Sequence, residues 1–88
     1  MTIKELEQEI TMRHNLSCVD LNDMTFNLNS NDTSDYGWQA LSDIEVLLED
    51  GTVGKIIDVY KSTDEVVVRL YDENGNNIEK VGRVKELL

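Results

Sequence analysis

The stretch Ile44-Glu-Val-Leu-Leu-Glu-Asp-Gly-Thr-Val-Gly-Lys-Ile-Ile-Asp-Val-Tyr60 decides the fold of this 88-residue chain. Its two halves are rich in β-branched and aliphatic residues, which favour extended strands. Asp50-Gly51 stands between the halves, and this pair is typical of the tight turns that join antiparallel strands. The stretch therefore predicts a β-hairpin.

The N-terminal residues predict a short amphipathic helix. Thr2 followed by Glu5 matches a capping box, in which each side chain accepts a hydrogen bond from a free backbone N–H. Ile3, Leu6 and Ile10 recur at helical spacing, so they share one face. The helix should end near residue 15 and pack by this face on the β-structure.

Further strands are expected after the hairpin. Val66-Val-Val68 predicts a strand that is covered on both faces, because three successive apolar residues leave no solvated side. We expect the N-terminal helix, or a second copy of the chain in a homodimer, to supply the second cover. Asn74-Gly75 then predicts another tight turn, with strands over residues 78–81 and 84–88 completing the sheet.

Between the helix and the first hairpin, the chain predicts a shorter hairpin and a polar loop. Residues 16–21 and 24–28 have strand-like patterns on either side of Asn22-Asp23. Residues 29–35 are short polar side chains that compete for backbone hydrogen bonds and favour turns. A loop is therefore expected there.

Residues 36–49 fit two structures. Trp38, Leu41 and Leu48 lie at helical spacing, whereas the alternation that ends at Leu48 also fits a strand. Because a strong turn signal follows, we expect a turn or short helix through Leu41 and a strand after it.

These elements predict an α+β fold in a single domain, with an N-terminal amphipathic helix packed on an antiparallel β-meander or small barrel. Residues 1–15 would form the helix, 16–42 the hairpin and acidic loop, and 43–88 the meander. The segments 44–59, 66–72 and 84–87 resemble the small SH3-like barrels of the KOW type, and the resemblance covers residues 43–88. That resemblance implies a binding scaffold and no particular chemistry.

Negative charge is concentrated in one part of the sequence. Residues 15–53 hold no lysine or arginine and eight carboxylates, which account for most of the net charge of −10. A field of one sign attracts cationic partners and repels polyanions. We therefore expect a basic protein surface as the partner, without direct contact with nucleic acid or anionic membranes.

The composition also predicts a cytoplasmic protein. The longest aliphatic runs have three residues, far below the roughly 20 of a membrane helix. Cys18 is the only cysteine, so no internal disulfide can form. We expect its thiol to be buried, because a free cysteine usually behaves as a small apolar residue.

No pattern of catalytic or cofactor-binding residues is found. His14 and Cys18 are the only histidine and cysteine, and one of each falls short of a structural zinc site. The alternating Asn and Asp residues near 27–31 and 72–76 do not complete a calcium loop. We expect a protein that is not an enzyme and that uses no cofactor or metal.

The expected partner-binding surface combines the acidic stretch with its two large aromatic residues, since Trp and Tyr are enriched in interface hot spots. Its residues are Asp20, Asp23, Asp32, Asp35, Tyr36, Trp38, Asp43, Glu45, Glu49 and Asp50. In size, charge and expected topology the chain is similar to small acidic phage inhibitors such as the anti-CRISPR proteins and the uracil-DNA glycosylase inhibitor. That similarity implies an inhibitor that occupies the nucleic-acid-binding site of a host defence protein, in the host cytoplasm.

Three alternatives remain open at this point. In the first, the charge serves solubility alone; in the second, the chain is a structural module of a larger assembly. In the third, the chain is an oligomeric sponge for nucleotides or other small molecules. The basic residues that would bind the anion are Arg13, Lys55, Arg69, Lys80, Arg83 and Lys85.

Overall fold

A computed structural model describes residues 1–27 and 38–88. The predicted loop at 29–35 lies outside these residues. The chain begins with one helix, α1 (Ile3–Arg13), preceded by the predicted capping box between Thr2 and Glu5. The Thr2 N–H donates to the Glu5 carboxylate, and the Glu5 N–H donates to the Thr2 hydroxyl. The first of these hydrogen bonds is the main cause that lowers the pKa of the Glu5 carboxyl.

The C-terminus of α1 is closed by backbone hydrogen bonds that the sequence pattern did not predict. Asn15 has a φ of 53°, in the left-handed region. The N–H of Leu16 donates to the carbonyl of Thr11, and the N–H of Asn15 donates to that of Met12. This arrangement is a Schellman motif, which satisfies two carbonyls that have no partner within the helix.

Two antiparallel sheets follow the helix. The smaller one consists of β1 (Cys18–Asp20), β2 (Thr25–Asn27) and β3 (Trp38–Ala40), in that order. The β1–β2 hairpin was predicted. The expected turn or short helix through Leu41 is wrong for residues 38–40, because these residues pair with the whole of β2.

The larger sheet has five strands in the order β7-β6-β5-β4-β8. Its strands are β4 (Glu45–Leu48), β5 (Val53–Tyr60), β6 (Glu65–Tyr71), β7 (Asn77–Gly82) and β8 (Val84–Leu87). Both predicted tight turns are present, with Gly51 and Gly75 at positive φ. The α+β class is therefore confirmed, and within the described residues β7 and β8 remain the two edges of an open sheet.

One apolar core joins the helix to both sheets. It contains Ile3, Leu6, Ile10, Val19, Leu21, Ile44, Val46, Leu48, Ile56, Val59, Val66, Val68, Val84 and Leu87. The helix packs beside β1 and β8. Its apolar face therefore lies on the same side of the sheet as Val66 and Val68.

The covering of Val67 differs from the prediction. Val67 is only 7% exposed but is not part of the core. It points to the outer face, opposite to Val66 and Val68, and its cross-strand neighbours there are Asp58 and Val81. The adjacent strands therefore cover this residue, and the helix does not.

The end of β7 contacts the turn between β4 and β5. The Lys80 ammonium lies 2.6 Å from the Asp50 carboxylate and donates to the Thr52 hydroxyl. The hydrogen bond from Lys80, followed in importance by that from the Thr52 N–H, holds the pKa of Asp50 well below its usual value. Gly82 approaches Leu48 in the same region. These contacts join β7 to the β4–β5 turn and to the end of β4.

We predict that Gly54→Ala destabilises the fold by about 1–3 kcal/mol, the usual cost of overpacking. A Cβ at Gly54 would lie 2.9 Å from the Arg69 carbonyl oxygen and 2.9 Å from the Val68 Cβ, and neither atom can move without shifting β6. Gly82→Ala is the matched control, because its nearest contact is the terminal Cδ1 of Leu48 at 3.1 Å. Urea unfolding should show a clearly smaller loss for Gly82→Ala, and equal losses would contradict the prediction.

We also predict that Asp50→Asn lowers the melting temperature in a pH-dependent way. Because the folded-state pKa of Asp50 is lowered, its stabilising effect is complete above the ordinary Asp pKa of about 3.9 and declines as the pH falls below it. The difference in melting temperature from the parent protein should be present at neutral pH and shrink below about pH 4. The control is Glu49→Gln, which removes the charge of a neighbouring carboxylate that forms no ion pair in the described chain. A pH-independent difference for Asp50→Asn would refute this role of the ion pair.

Candidate functional site

The structure divides the acidic stretch among separate places. Asp32, Asp35 and Tyr36 lie outside the described residues. The other predicted acidic residues occur in three pairs: Asp20 and Asp23 beside the β1–β2 turn, Asp43 and Glu45 at the start of β4, and Glu49 and Asp50 after its end. The described part of the stretch is therefore not gathered at one point.

One member of each pair forms an ion pair with a lysine from the C-terminal half. Asp20 lies 3.8 Å from Lys61, Asp43 lies 2.9 Å from Lys55, and Asp50 lies 2.6 Å from Lys80. The hydrogen bond from Lys55 to Asp43 raises the pKa of the Lys55 ammonium. Folding thus places cations beside a stretch that has none of its own.

The other three carboxylates are available to a partner. Asp23, Glu45 and Glu49 are exposed and form no ion pair with any described residue. Glu45 begins β4 and Glu49 directly follows its end, so at about 3.3 Å per residue their Cα atoms are separated by at most about 13 Å. These three residues are called the free acidic set below.

Two other predicted residues differ in their surroundings. Trp38 lies on β3 and is half-buried, and it is not part of the apolar core defined by the described residues. Cys18 is exposed, so the expectation of a buried thiol was wrong. Alternation along β1 explains this, because Val19 points into the core and Cys18 therefore points away from it.

The outer face of the larger sheet carries a row of charged residues. Glu45, Lys55, Arg69 and Glu79 are successive cross-strand partners on β4, β5, β6 and β7. Arg69 lies 3.8 Å from Glu79, while Lys55 is held by Asp43. The two cations are therefore direct neighbours at the centre of the row, with carboxylates on either side.

A cleft of ≈ 370 Å³ opens where the two sheets meet beside these cations. Met24 and Leu41 of the smaller sheet region form one wall, and Lys55, Arg69 and Tyr71 form the other. Leu41 is fixed there by the 2.7 Å hydrogen bond from its N–H to the Met24 carbonyl. This space is called the junction cleft below.

Among the six predicted anion-binding residues, only Lys55 and Arg69 line this cleft. Arg13 donates to the Leu87 carbonyl and to Glu9, and Lys80 is bound to the β4–β5 turn. Arg83 is the single residue between β7 and β8, and Lys85 lies on β8. The six basic residues thus do not form one site.

Tyr71 was not identified from the sequence as a residue of the junction cleft. Its ring is on the outer face because Tyr71 follows Arg69 by two residues in a strand, and this alternation was visible in the sequence. The neighbouring position of Met24 and Leu41 depends on how the two sheets pack, and no sequence signal gives it.

Within residues 1–27 and 38–88, no group of three His, Cys, Asp or Glu side chains is arranged to hold a metal ion. No helix in this part of the chain has the length and apolar character to cross a membrane. Comparison with protein-family models, with curated proteins and with solved structures gave no match.

Proposed function

We propose that this chain is a small acidic interaction protein without enzymatic activity, which binds a basic groove on another protein. The occupied groove would be the phosphate-binding site of a nucleic-acid-binding enzyme, so the chain would act as an inhibitor by charge mimicry. The observation that supports this most directly is the free acidic set: three exposed carboxylates that form no ion pair with any described residue, within the stretch that lacks lysine and arginine.

The spacing along β4 is compatible with mimicry. One strand of DNA advances about 3.4 Å per nucleotide along the helix axis, so the Cα separation of at most about 13 Å between Glu45 and Glu49 corresponds to about four nucleotide steps. The net charge of −10 would add long-range attraction to a cationic groove.

The scaffold proposed for this role is an SH3-like half-barrel. The order β8-β4-β5-β6-β7 places the last strand beside the first of the five, as the resemblance to the small SH3-like barrels implies. The register shift in β5 between Ile56 and Asp58 is the kind of irregularity that bends a strand locally, and the Lys80–Asp50 ion pair joins β7 to the β4–β5 turn. These features support the proposal of a curved, partly closed sheet.

The ion pairs sharpen the choice of variants for a test. Neutralising Asp20, Asp43 or Asp50 would leave a lysine without its partner, so the result would mix binding with local rearrangement. The informative variant is Asp23→Asn/Glu45→Gln/Glu49→Gln. The matched control is Asp58→Asn/Glu73→Gln/Glu86→Gln, which makes the same change in net charge at exposed carboxylates outside the acidic stretch.

We predict that the tagged protein captures a nucleic-acid-binding protein from the basic, phosphocellulose-retained fraction of a bacterial lysate, and that excess duplex DNA releases it. Each exposed charge pair contributes about 0.2–1 kcal/mol, so the free-set variant should bind the captured protein about tenfold more weakly. The control triple variant should lose much less. Equal loss for both triple variants, or capture that duplex DNA does not reverse, would refute mimicry by the acidic stretch.

A further inference from the structure

We propose that the junction cleft is a binding site for a small phosphate-bearing molecule with a planar ring, of the nucleoside monophosphate class. Lys55 and Arg69 would hold the phosphate, and Tyr71 would stack on the ring. This site would be a second binding activity, formed by residues other than the free acidic set proposed above.

The first observation is that two cations lie directly opposite each other on neighbouring strands. Lys55 and Arg69 are cross-strand partners on β5 and β6, and both point to the outer face. Like charges directly opposite each other in a sheet are destabilising. An anion placed between them would remove this repulsion, so the arrangement favours a bound anion at this position.

The second observation is that the donors of both cations are largely unused. Arg69 makes a single 3.8 Å ion pair with Glu79 and donates no hydrogen bond to any residue in the described ranges. Its side chain is 48% exposed. Lys55 has three N–H donors and gives one hydrogen bond, to Asp43. The planar guanidinium matches a phosphate with two parallel hydrogen bonds, and the ammonium adds a point charge.

The third observation concerns the ring. Tyr71 is 69% exposed, so its ring is accessible to a ligand, and it lines the junction cleft beside both cations. Met24 and Leu41 give the opposite side of the cleft an apolar surface. The volume of ≈ 370 Å³ lies within the range of about 300–1,000 Å³ that is usual for small-molecule sites.

Nearby carboxylates set the expected affinity. Asp43, Glu45 and Glu79 surround the two cations and oppose a bound anion. More distant carboxylates matter little, because salt at physiological strength screens exposed charges beyond about 8 Å. Asp43 is the direct competitor, since it occupies one donor of Lys55 at 2.9 Å. Removing its charge should therefore strengthen binding, whereas removing a cation should weaken it.

The test is a titration of the full chain with adenosine monophosphate, in which binding is measured by calorimetry and by changes in NMR chemical shifts. We predict that Arg69→Gln weakens binding about tenfold and Tyr71→Ala severalfold, while Asp43→Asn strengthens it severalfold. Arg83→Gln is the matched control, because it removes an exposed cation of the same half that forms no ion pair in the described chain; it should leave affinity unchanged. Melting temperatures establish that each variant is folded.

Inorganic phosphate and adenosine, titrated separately, test the contributions of the phosphate and of the ring-bearing nucleoside to binding. Each should bind more weakly than adenosine monophosphate, and only phosphate should respond to Arg69→Gln. The proposal is overturned if adenosine monophosphate does not bind, if Arg83→Gln weakens binding as much as Arg69→Gln, or if Asp43→Asn fails to strengthen it. Because none of these variants belongs to the free acidic set, failure here would leave the proposed acidic surface standing.

Discussion

The alternation of buried and exposed residues along β5 and β6 is the constraint on which the rest of the structure depends. Val66 and Val68 are completely buried and Ile56 nearly so. Their burial fixes the strand register, because a slip of one residue would turn every side chain to the opposite face. Lys55 and Arg69 must then share the outer face as direct neighbours. The same apolar contacts that hold the sheet together therefore place two like charges directly opposite each other.

The fold also redistributes the charge that the sequence concentrates. Lys55, Lys61 and Lys80 come from the nearly neutral C-terminal half and meet acidic residues of a stretch that has no cations. Three of the six carboxylates of that stretch that the structure describes are thus paired. A smaller number of carboxylates remains for a partner. These are the carboxylates that do not lie within reach of a lysine. Sequence position alone does not distinguish Glu49, which is free, from Asp50, which is bound.

Local signals made most of the elements predictable. The capping box at Thr2 and the Asp50-Gly51 and Asn74-Gly75 turns depend on neighbouring residues, and all three were confirmed. Strand β3 was missed because its formation depends on pairing with β2, which a local pattern does not encode. The ion pairs and the junction cleft were missed for the same reason: each joins residues that are distant in sequence. The candidate sites were thus predictable in residue type but not in arrangement.

The two proposed sites meet at Lys55. This residue faces Glu45 of the free acidic set in the β4–β5 register and donates to Asp43 at the mouth of the junction cleft. An anion bound between Lys55 and Arg69 would neutralise part of the positive charge beside Glu45, so the field of that carboxylate toward a cationic partner would increase. Linkage requires the reverse effect to be equal, so a cationic partner on β4 would strengthen anion binding in the cleft. The coupling is electrostatic and short-ranged, and it needs no change of shape in the sheet.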